Sequence, residues 1–542
     1  MNMLDEKRPI YEGMTRWNYF PNQKDPIGEL PPCFSTRQFT PEIVEIIVNA
    51  KQGDERKRTG YDHVEYYATR HNNIPRRLGL VHPAAYSLLA KCIYDNWDEV
   101  KNIRTNDNSM IKPDHYMDGR ILIMNYEDVE TKWVRSIGDS FGKRFRVKSD
   151  IASCFNTIYS HSIPWAVVGF EVAKQNLKRG GARHWSDDLD KCQRNTKRNE
   201  TQGIPIGPST SSIVVELILG EIDKKLKDEG YEFRRYIDDY ICFCKTYEEA
   251  QKFLQLLGRQ LNDFKLHLNL QKTSIIELPE PVSDDWVAEI NNALPDRFVG
   301  QNYEQRKYLS SEIAKFLDYA IRLNKKTPDG SVIKYAVGSI INNIDENSAL
   351  VAFEYIINLS WHYPALLPYL EILMSFERVP IRDYEGKLSE IIIENARNNR
   401  SDGIAWPLHL IARGDLKISN EAIEEILTSR DCVGLVALYA THQADDRLIA
   451  LADEIAQKTD YEKDQYWLFL YQIFLEGNIK NPYDNEDCFE ILKKYSVNFM
   501  PKKDDRNLTE MYCDMLSNPF RDLENDIPDF QEWHTEELLR QR

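Results

Sequence analysis

The sequence predicts an α+β region followed by an all-α region of HEAT-like helical repeats, and two contrasts along the chain predict it. In the first half, alternating β-branched and aromatic runs such as Tyr231-Glu232-Phe233 and Tyr240-Ile241-Cys242-Phe243 interleave with helical stretches. From about Asp296 that alternation stops, and amphipathic segments follow one another with short breaks. The expected organisation is residues 1–60 as an N-terminal arm leading into the first strands, 61–290 as the α+β unit and 291–542 as the helical unit.

Within the α+β unit, Tyr236-Ile237-Asp238-Asp239 places two adjacent carboxylates at a turn between strand-like runs. A hairpin tip carries such residues away from the sheet, where unpaired carboxylates would be costly to bury. Two hard anions there suit Mg²⁺, which prefers oxygen ligands and shares substrate phosphates; a solvated turn pair is the plainer reading. Asp150 ends the run Phe145-Arg146-Val147-Lys148 and is the natural third ligand, since two-metal phosphoryl transfer needs carboxylates from separate elements. A helix N-cap is its alternative. Gln202-Gly203-Ile204-Pro205-Ile206-Gly207-Pro208-Ser209 is a Gly/Pro-punctuated loop feeding an apolar helix, a place where backbone approaches a negatively charged ligand. Lys272, after Leu266-His267-Leu268-Asn269, could reach phosphates from a turn or strand following a helix.

In this order, Asp150 with Phe155, the Gln202-Gly203 loop, Tyr236 to Asp239, and Asn269 to Thr273 resemble motifs A, B, C and D of reverse transcriptases. Ile74 to Pro83 resembles the fingers segment of the bacterial enzymes, and Gly203 to Ser209 with the long helical C-terminus is most similar to the AbiK-like abortive-infection group. By motif the resemblance covers roughly residues 60 to 280. It implies right-hand polymerase fingers and palm over 61–290 and a nucleotidyltransferase that makes DNA from dNTPs with Mg²⁺ or Mn²⁺. In that group synthesis is untemplated and primed on a tyrosine of the protein, which implies a single-stranded DNA product attached covalently and a homo-oligomer. Asp150, Asp238 and Asp239 would be catalytic and, with Ile151, metal-binding. Phe155 would be the steric gate against a 2′-hydroxyl, Gln202 and Gly203 would line the nucleotide pocket, and Arg76, Arg77 and Lys272 would contact the triphosphate. Gly207-Pro208-Ser209 stands where retroviral and retron enzymes end the loop in Ser-Pro, which puts the pocket contacts in doubt. Two other readings stay open: an RNA-templated reverse transcriptase, and a catalytically silent polymerase fold acting as a sensor or binding protein.

A chain of 542 residues, 42% hydrophobic, holds two or three globular domains. Its net charge of −17 denies it a general attraction to duplex nucleic acid, so binding must be local. Basic residues gather at Lys174, Lys178, Arg179, Arg183, Arg194, Lys197 and Arg198, with His184 and Trp185 as candidate stacking surfaces. Nine cysteines without metal-like spacing read as core thiols in a reducing compartment. Met1 to Asp5 has no leader character and no long apolar span follows, so a cytoplasmic protein without membrane contact is expected.

In the helical unit, stops are expected at Gly330, Pro364, Gly403 and Pro482. A priming hydroxyl should lie on a mobile segment. Tyr11 and Tyr19, amid Pro9, Gly13, Pro21 and Pro26, are the candidates, with Tyr61, Tyr66 and Tyr67 as runners-up.

Overall fold

The computed structural model describes residues 7–21, 28–51, 60–70, 74–114, 119–122, 129–178, 181, 183–296, 298–299, 304–328, 330–483 and 487–501. The expectations for Met1 to Asp5, Pro26, Arg179 and residues 502–542 lie outside them.

Among the described residues the fold is a helix-rich α+β arrangement with three antiparallel sheets, the smallest a two-residue pairing of Phe298–Val299 with Glu304–Gln305. β1 (His63–Thr69) and β2 (Pro75–Val81) form a hairpin. β3 (Phe145–Asp150), β4 (Phe233–Tyr236), β5 (Asp239–Cys244) and β6 (Ser274–Glu277) form the second sheet in the order β4-β5-β3-β6. Alternation puts Tyr240, Cys242 and Cys244 on one buried face of β5, the two thiols 3.8 Å apart. The helix Tyr247–Asp263 packs on β3 and β5 through Ala250, Phe253, Leu257 and Leu261, which recur at helical spacing and are all buried. The helix Ser209–Asp228 lies beside it.

Where a flexible arm was expected, the described part of residues 7–51 is packed core. Pro9 sits in the first turn of the helix Arg8–Glu12, which tolerates proline because its N–H would lack a partner there anyway. Helical spacing then carries Ile10, Tyr11 and Met14 into the interior. Gly13 does not loosen the chain but lets it approach closely, since a Cβ there would lie 2.6 Å from Ile121. Tyr11 stacks on Tyr94 at 4.1 Å and donates to Glu45 at 3.1 Å. Tyr19 is fully buried, stacked on Tyr86 at 4.0 Å, with its hydroxyl on the Val81 carbonyl. Burial pushes both phenols well above their ordinary pKa. Tyr11 and Tyr19, named as priming candidates because a mobile arm was expected there, thus lie in packed structure instead of on such an arm. Among the runners-up, Tyr61 and Tyr66 are buried as well, and Tyr67 is half-buried.

The C-terminal helices contact one another in two layers. Ser310–Lys326, Glu346–His362, Glu385–Arg397 and Asn420–Ser429 meet in succession in one, while Leu367–Leu373, Ser401–Gly414, Cys432–Tyr439 and Trp467–Leu475 meet in the other. Gly330, Pro364 and Pro482 fall between helices, but Gly403 lies in the first turn of Ser401–Gly414. Its role is close packing, for a Cβ there would lie 2.1 Å from the buried Asn395 side chain.

The second layer closes over β1, whose outer edge would otherwise expose unpaired N–H groups. Tyr67 N donates to Ser401 Oγ at 2.8 Å and Thr69 N to Asp402 at 2.8 Å, the alternate residues that face the edge. Asp62 N donates to Asp464 at 2.9 Å. Trp467 and Phe499 pack with Tyr19 and Phe20, and Trp467 Nε1 donates to Leu80 O at 2.9 Å. N-terminal segment, first hairpin and terminal helices therefore share one core. Among the described residues, no helix is long and apolar enough to cross a membrane.

Candidate active site

Tyr236 pairs with Asp239, so Ile237 and Asp238 alone make the turn between β4 and β5. Two-residue hairpins of this kind favour a positive φ at the first turn position, ordinarily supplied by glycine. Here Ile237 takes φ 58. A β-branched residue is strained there, at a cost of about 1–3 kcal/mol. Arg235 compensates from below. It is completely buried, and its Nη1 donates to the Ile237 carbonyl at 2.9 Å. The same guanidinium donates to both oxygens of Glu216 at 2.7 and 2.8 Å and, through Nε, to Asp223 at 2.8 Å. Asp223 also accepts from Tyr240 Oη at 3.0 Å and Asn106 Nδ2 at 2.6 Å. Burial pushes the Arg235 pKa down, but Asp223 and Glu216 more than reverse this and hold it charged.

On that support stand three carboxylates. Asp150 and Asp239 are register partners across β3 and β5, and Ile151 N donates to the Asp238 carbonyl at 3.2 Å. Asp150 is buried, with Asn269 Nδ2 on Oδ1 at 3.1 Å and Lys272 Nζ on Oδ2 at 2.7 Å. Crowding by protein, then the charge of Asp150, raises the Asp238 pKa; Lys272 and Arg76 act the other way. Asp239, although exposed as a residue, is pushed from 3.8 up to about 6 by the same crowding and by Asp238 and Asp150. Oxygen-only donors under mutual repulsion fit a hard divalent cation. Among the described residues, no group of three or more Asp, Glu, His or Cys side chains is placed to hold a metal ion, and the cation beside Asp150 is the Lys272 ammonium.

Phe155 is buried and joined to the Gly/Pro loop, its carbonyl accepting from Ile204 N at 2.9 Å. Gly203 takes φ 80 and donates to Ile158 O at 2.8 Å, while Lys197 Nζ holds the Gln202 carbonyl at 2.9 Å. Gly79 N on β2 donates to Ile206 O at 2.8 Å, so the loop is clasped between the first hairpin and the segment Phe155 to Ile158 that follows β3.

The two arginines of β2 part company, as neighbours on a strand must. Arg76 brings its charge to bear on Asp238. Arg77 pairs with Glu65 at 3.0 Å and lines a cavity of about 170 Å³ with His63, Lys197 and Arg198 that none of the three carboxylates lines. This separates Arg77 from the carboxylate site, where a triphosphate contact was expected. Much of the basic stretch has internal partners too. Arg194 pairs with Asp190 at 3.3 Å, Arg198 with Asp62 at 2.6 Å, Lys197 with Glu200 at 3.6 Å and Arg183 with Asp188. His184 caps the helix Trp185–Asn195. Arg194, Lys197, Arg198 and His184, expected at a nucleic-acid surface, thus also make contacts within the chain.

Sequence reading missed Arg235, Glu216 and Asp223. The available signal was two acids seven residues apart on the apolar face of Ser209–Asp228, where buried charge demands a buried partner.

Residues 91–313 match the family described as reverse transcriptase (RNA-dependent DNA polymerase). This span holds the three carboxylates, Phe155, the Gly/Pro loop and Lys272, and leaves β1 and β2 outside. Among solved structures, the chain aligns with apo telomerase from Candida Tropicalis truncated from its C-terminal domain, at 14% identity over 44% of this chain and 55% of that one, TM-score 0.26. It also aligns with apo telomerase from Candida Tropicalis, at 13% identity over 73% and 72%, TM-score 0.29. The chain thus spans about half the length of the first of these. No curated protein matches the sequence. Residues 91–313 thus form a reverse transcriptase domain, a kind of domain that generally supports nucleotidyl transfer with divalent metal ions.

Two predictions follow from the geometry. Arg235→Met leaves Glu216 and Asp223 buried without their cation and should cost about 3–5 kcal/mol in urea unfolding. Neutralising both acids as well, by Glu216→Gln and Asp223→Asn, should recover most of that. The second concerns pH. Because the Asp239 pKa is raised, its contribution to stability is full below the ordinary value of 3.8 and is lost as pH rises through about 6. A cation that needs the ionised carboxylate has the opposite dependence. Calorimetric affinity for Mg²⁺ should therefore rise with pH to about 6 and level off above it, and Asp239→Asn should flatten that rise.

Proposed function

We propose that the protein is a DNA polymerase of an anti-phage abortive-infection system, building DNA from dNTPs by a two-metal mechanism without a template. The observation that carries the polymerase reading is that Asp150 and Asp239 are register partners on adjacent strands, with Asp238 on the turn beside them, within the reverse transcriptase span. Asp150, Asp238 and Asp239 would hold Mg²⁺ or Mn²⁺, with the Ile151 backbone beside them. A bound ion pair of this kind activates an attacking hydroxyl and stabilises the leaving pyrophosphate. The chain's own part is to hold the carboxylates rigidly through Arg235, to close the sugar site with Phe155, and to set Gln202 and Gly203 against the nucleotide. Arg76 and Lys272 supply positive charge on the triphosphate side.

Synthesis without a template is favoured by the charge distribution. With net charge −17 and its main basic stretch largely engaged by internal acids, the chain offers little to grip a duplex. The resemblance to AbiK-like enzymes adds priming on the protein, a covalent single-stranded product and a homo-oligomer. The sequence pattern gives the division at 1–60, 61–290 and 291–542, with the last unit as a HEAT-like stack, and cysteines without metal-like spacing suit a cytoplasmic protein. The two-layer helix contacts support that stack.

The test is denaturing electrophoresis of protein incubated with each labelled dNTP and Mg²⁺, with and without added RNA. A label that stays on the protein without RNA is expected, absent in Asp238→Ala. An absolute need for RNA would replace this reading with a templated one. Full labelling in the Asp150, Asp238, Asp239 triple alanine variant would sink the polymerase reading altogether. Phe155→Ala should admit ribonucleotides, because discrimination against a hydroxyl rests there on a clash; an unchanged dNTP/rNTP ratio would remove the gate.

A further inference from the structure

We infer that Lys272 is a tethered counter-cation that competes with divalent ions for Asp150 and is drawn away by an incoming triphosphate, so that metal and nucleotide binding are coupled through it. The inference rests on the nucleotidyltransferase reading above.

Both oxygens of Asp150 are engaged, Oδ1 by Asn269 at 3.1 Å and Oδ2 by Lys272 at 2.7 Å. The two cationic and anionic partners differ sharply in freedom. The Asp150 side chain is 8% exposed, whereas that of Lys272 is 63% exposed, so one end of the pair is fixed and the other can leave. The backbone beneath Lys272 is pinned. Its N–H donates to Asn269 O at 3.1 Å, Asn269 N donates to Asp150 O at 2.7 Å, and Thr273 is bonded to Ser149 at 2.9 Å. Movement is thus confined to a long flexible side chain anchored beside the carboxylate.

An ammonium and a divalent ion cannot share one carboxylate oxygen at contact distance without strong repulsion. A metal arriving alone must therefore displace Lys272 into solvent. A metal arriving with a triphosphate gives the displaced ammonium a new anionic partner. By linkage, each ligand then raises the affinity of the other by the same factor. Asp238 and Asp239 also attract Lys272, so the side chain holds down the repulsion among three carboxylates until ions take over. A lysine that only contacts phosphate would leave metal affinity in the absence of nucleotide untouched.

The experiment measures binding of Mn²⁺ alone, from the loss of the free-ion paramagnetic resonance signal, to the full chain and its Lys272→Met, Lys272→Arg and Asp150→Asn variants. Lys272→Met should bind Mn²⁺ about fivefold more tightly than the wild type, the loss of one partly exposed ion pair. Lys272→Arg, which keeps the charge, should stay near the wild type. A non-hydrolysable dNTP analogue should tighten Mn²⁺ binding more in the wild type than in Lys272→Met. Equal or weaker Mn²⁺ binding by Lys272→Met, with Asp150→Asn abolishing it, would overturn the inference and leave the metal site standing. Mn²⁺ binding unchanged in Asp150→Asn would show the ion to be elsewhere and remove the nucleotidyltransferase reading with it.

Discussion

The site depends on one buried guanidinium. The hairpin that carries Asp238 and Asp239 turns through an isoleucine at φ 58, a conformation that its sequence does not favour. Arg235 makes it stable by binding the turn's carbonyl and, at the same time, two acids of the helix that follows the Gly/Pro loop. The loop side of the nucleotide site and the carboxylate hairpin are thereby fixed to each other by bonds rather than by apolar contact alone. Such a network is directional, and this is what catalytic carboxylates need, because they must hold position against their own repulsion.

A second constraint acts on the opposite side of the Gly/Pro loop. A two-stranded hairpin has little stability alone, and β1 has an edge that invites wrong pairing. The helices beyond residue 400 supply Ser401, Asp402 and Asp464 to that edge, and the N-terminal aromatic residues complete the core between them. The cost is visible in Asp402, which burial pushes up to about 6 despite its bonds from Thr69 and Gly403. Since the first hairpin also clasps the loop through Gly79, the helical region reaches the Gly/Pro loop through a continuous chain of hydrogen bonds. Deleting it would uncover the first hairpin rather than trim an appendage.

What was legible in the sequence were features set by local rules. Alternation around Tyr240 to Phe243, helical spacing in Tyr247–Asp263 and most of the C-terminal helices, and the acidic turn itself all follow from periodicity and turn chemistry. Proline and glycine misled the reading where their purpose was packing. Pro9 and Gly13 read as an arm and Gly403 as a stop, yet each sits in a helix whose neighbour comes too close for a side chain or whose first turn accepts proline. The roles of Arg235 and of the basic stretch were hidden for a different reason. Whether an arginine faces solvent, phosphate or a buried acid is decided by residues far away in sequence, such as Asp62 for Arg198 or Glu216 for Arg235.

That same non-local pairing sets the electrostatics of the whole cleft. An acidic chain that ties Arg77, Arg183, Arg194 and Arg198 to its own carboxylates presents few cations to a nucleic-acid backbone. Arg76 and Lys272, by contrast, exert their charge on the Asp150, Asp238 and Asp239 cluster. Positive charge thus acts on the carboxylate cluster itself. On the proposed polymerase reading, these two cations face the small, highly charged substrate, while the acidic chain as a whole attracts a long polymer weakly.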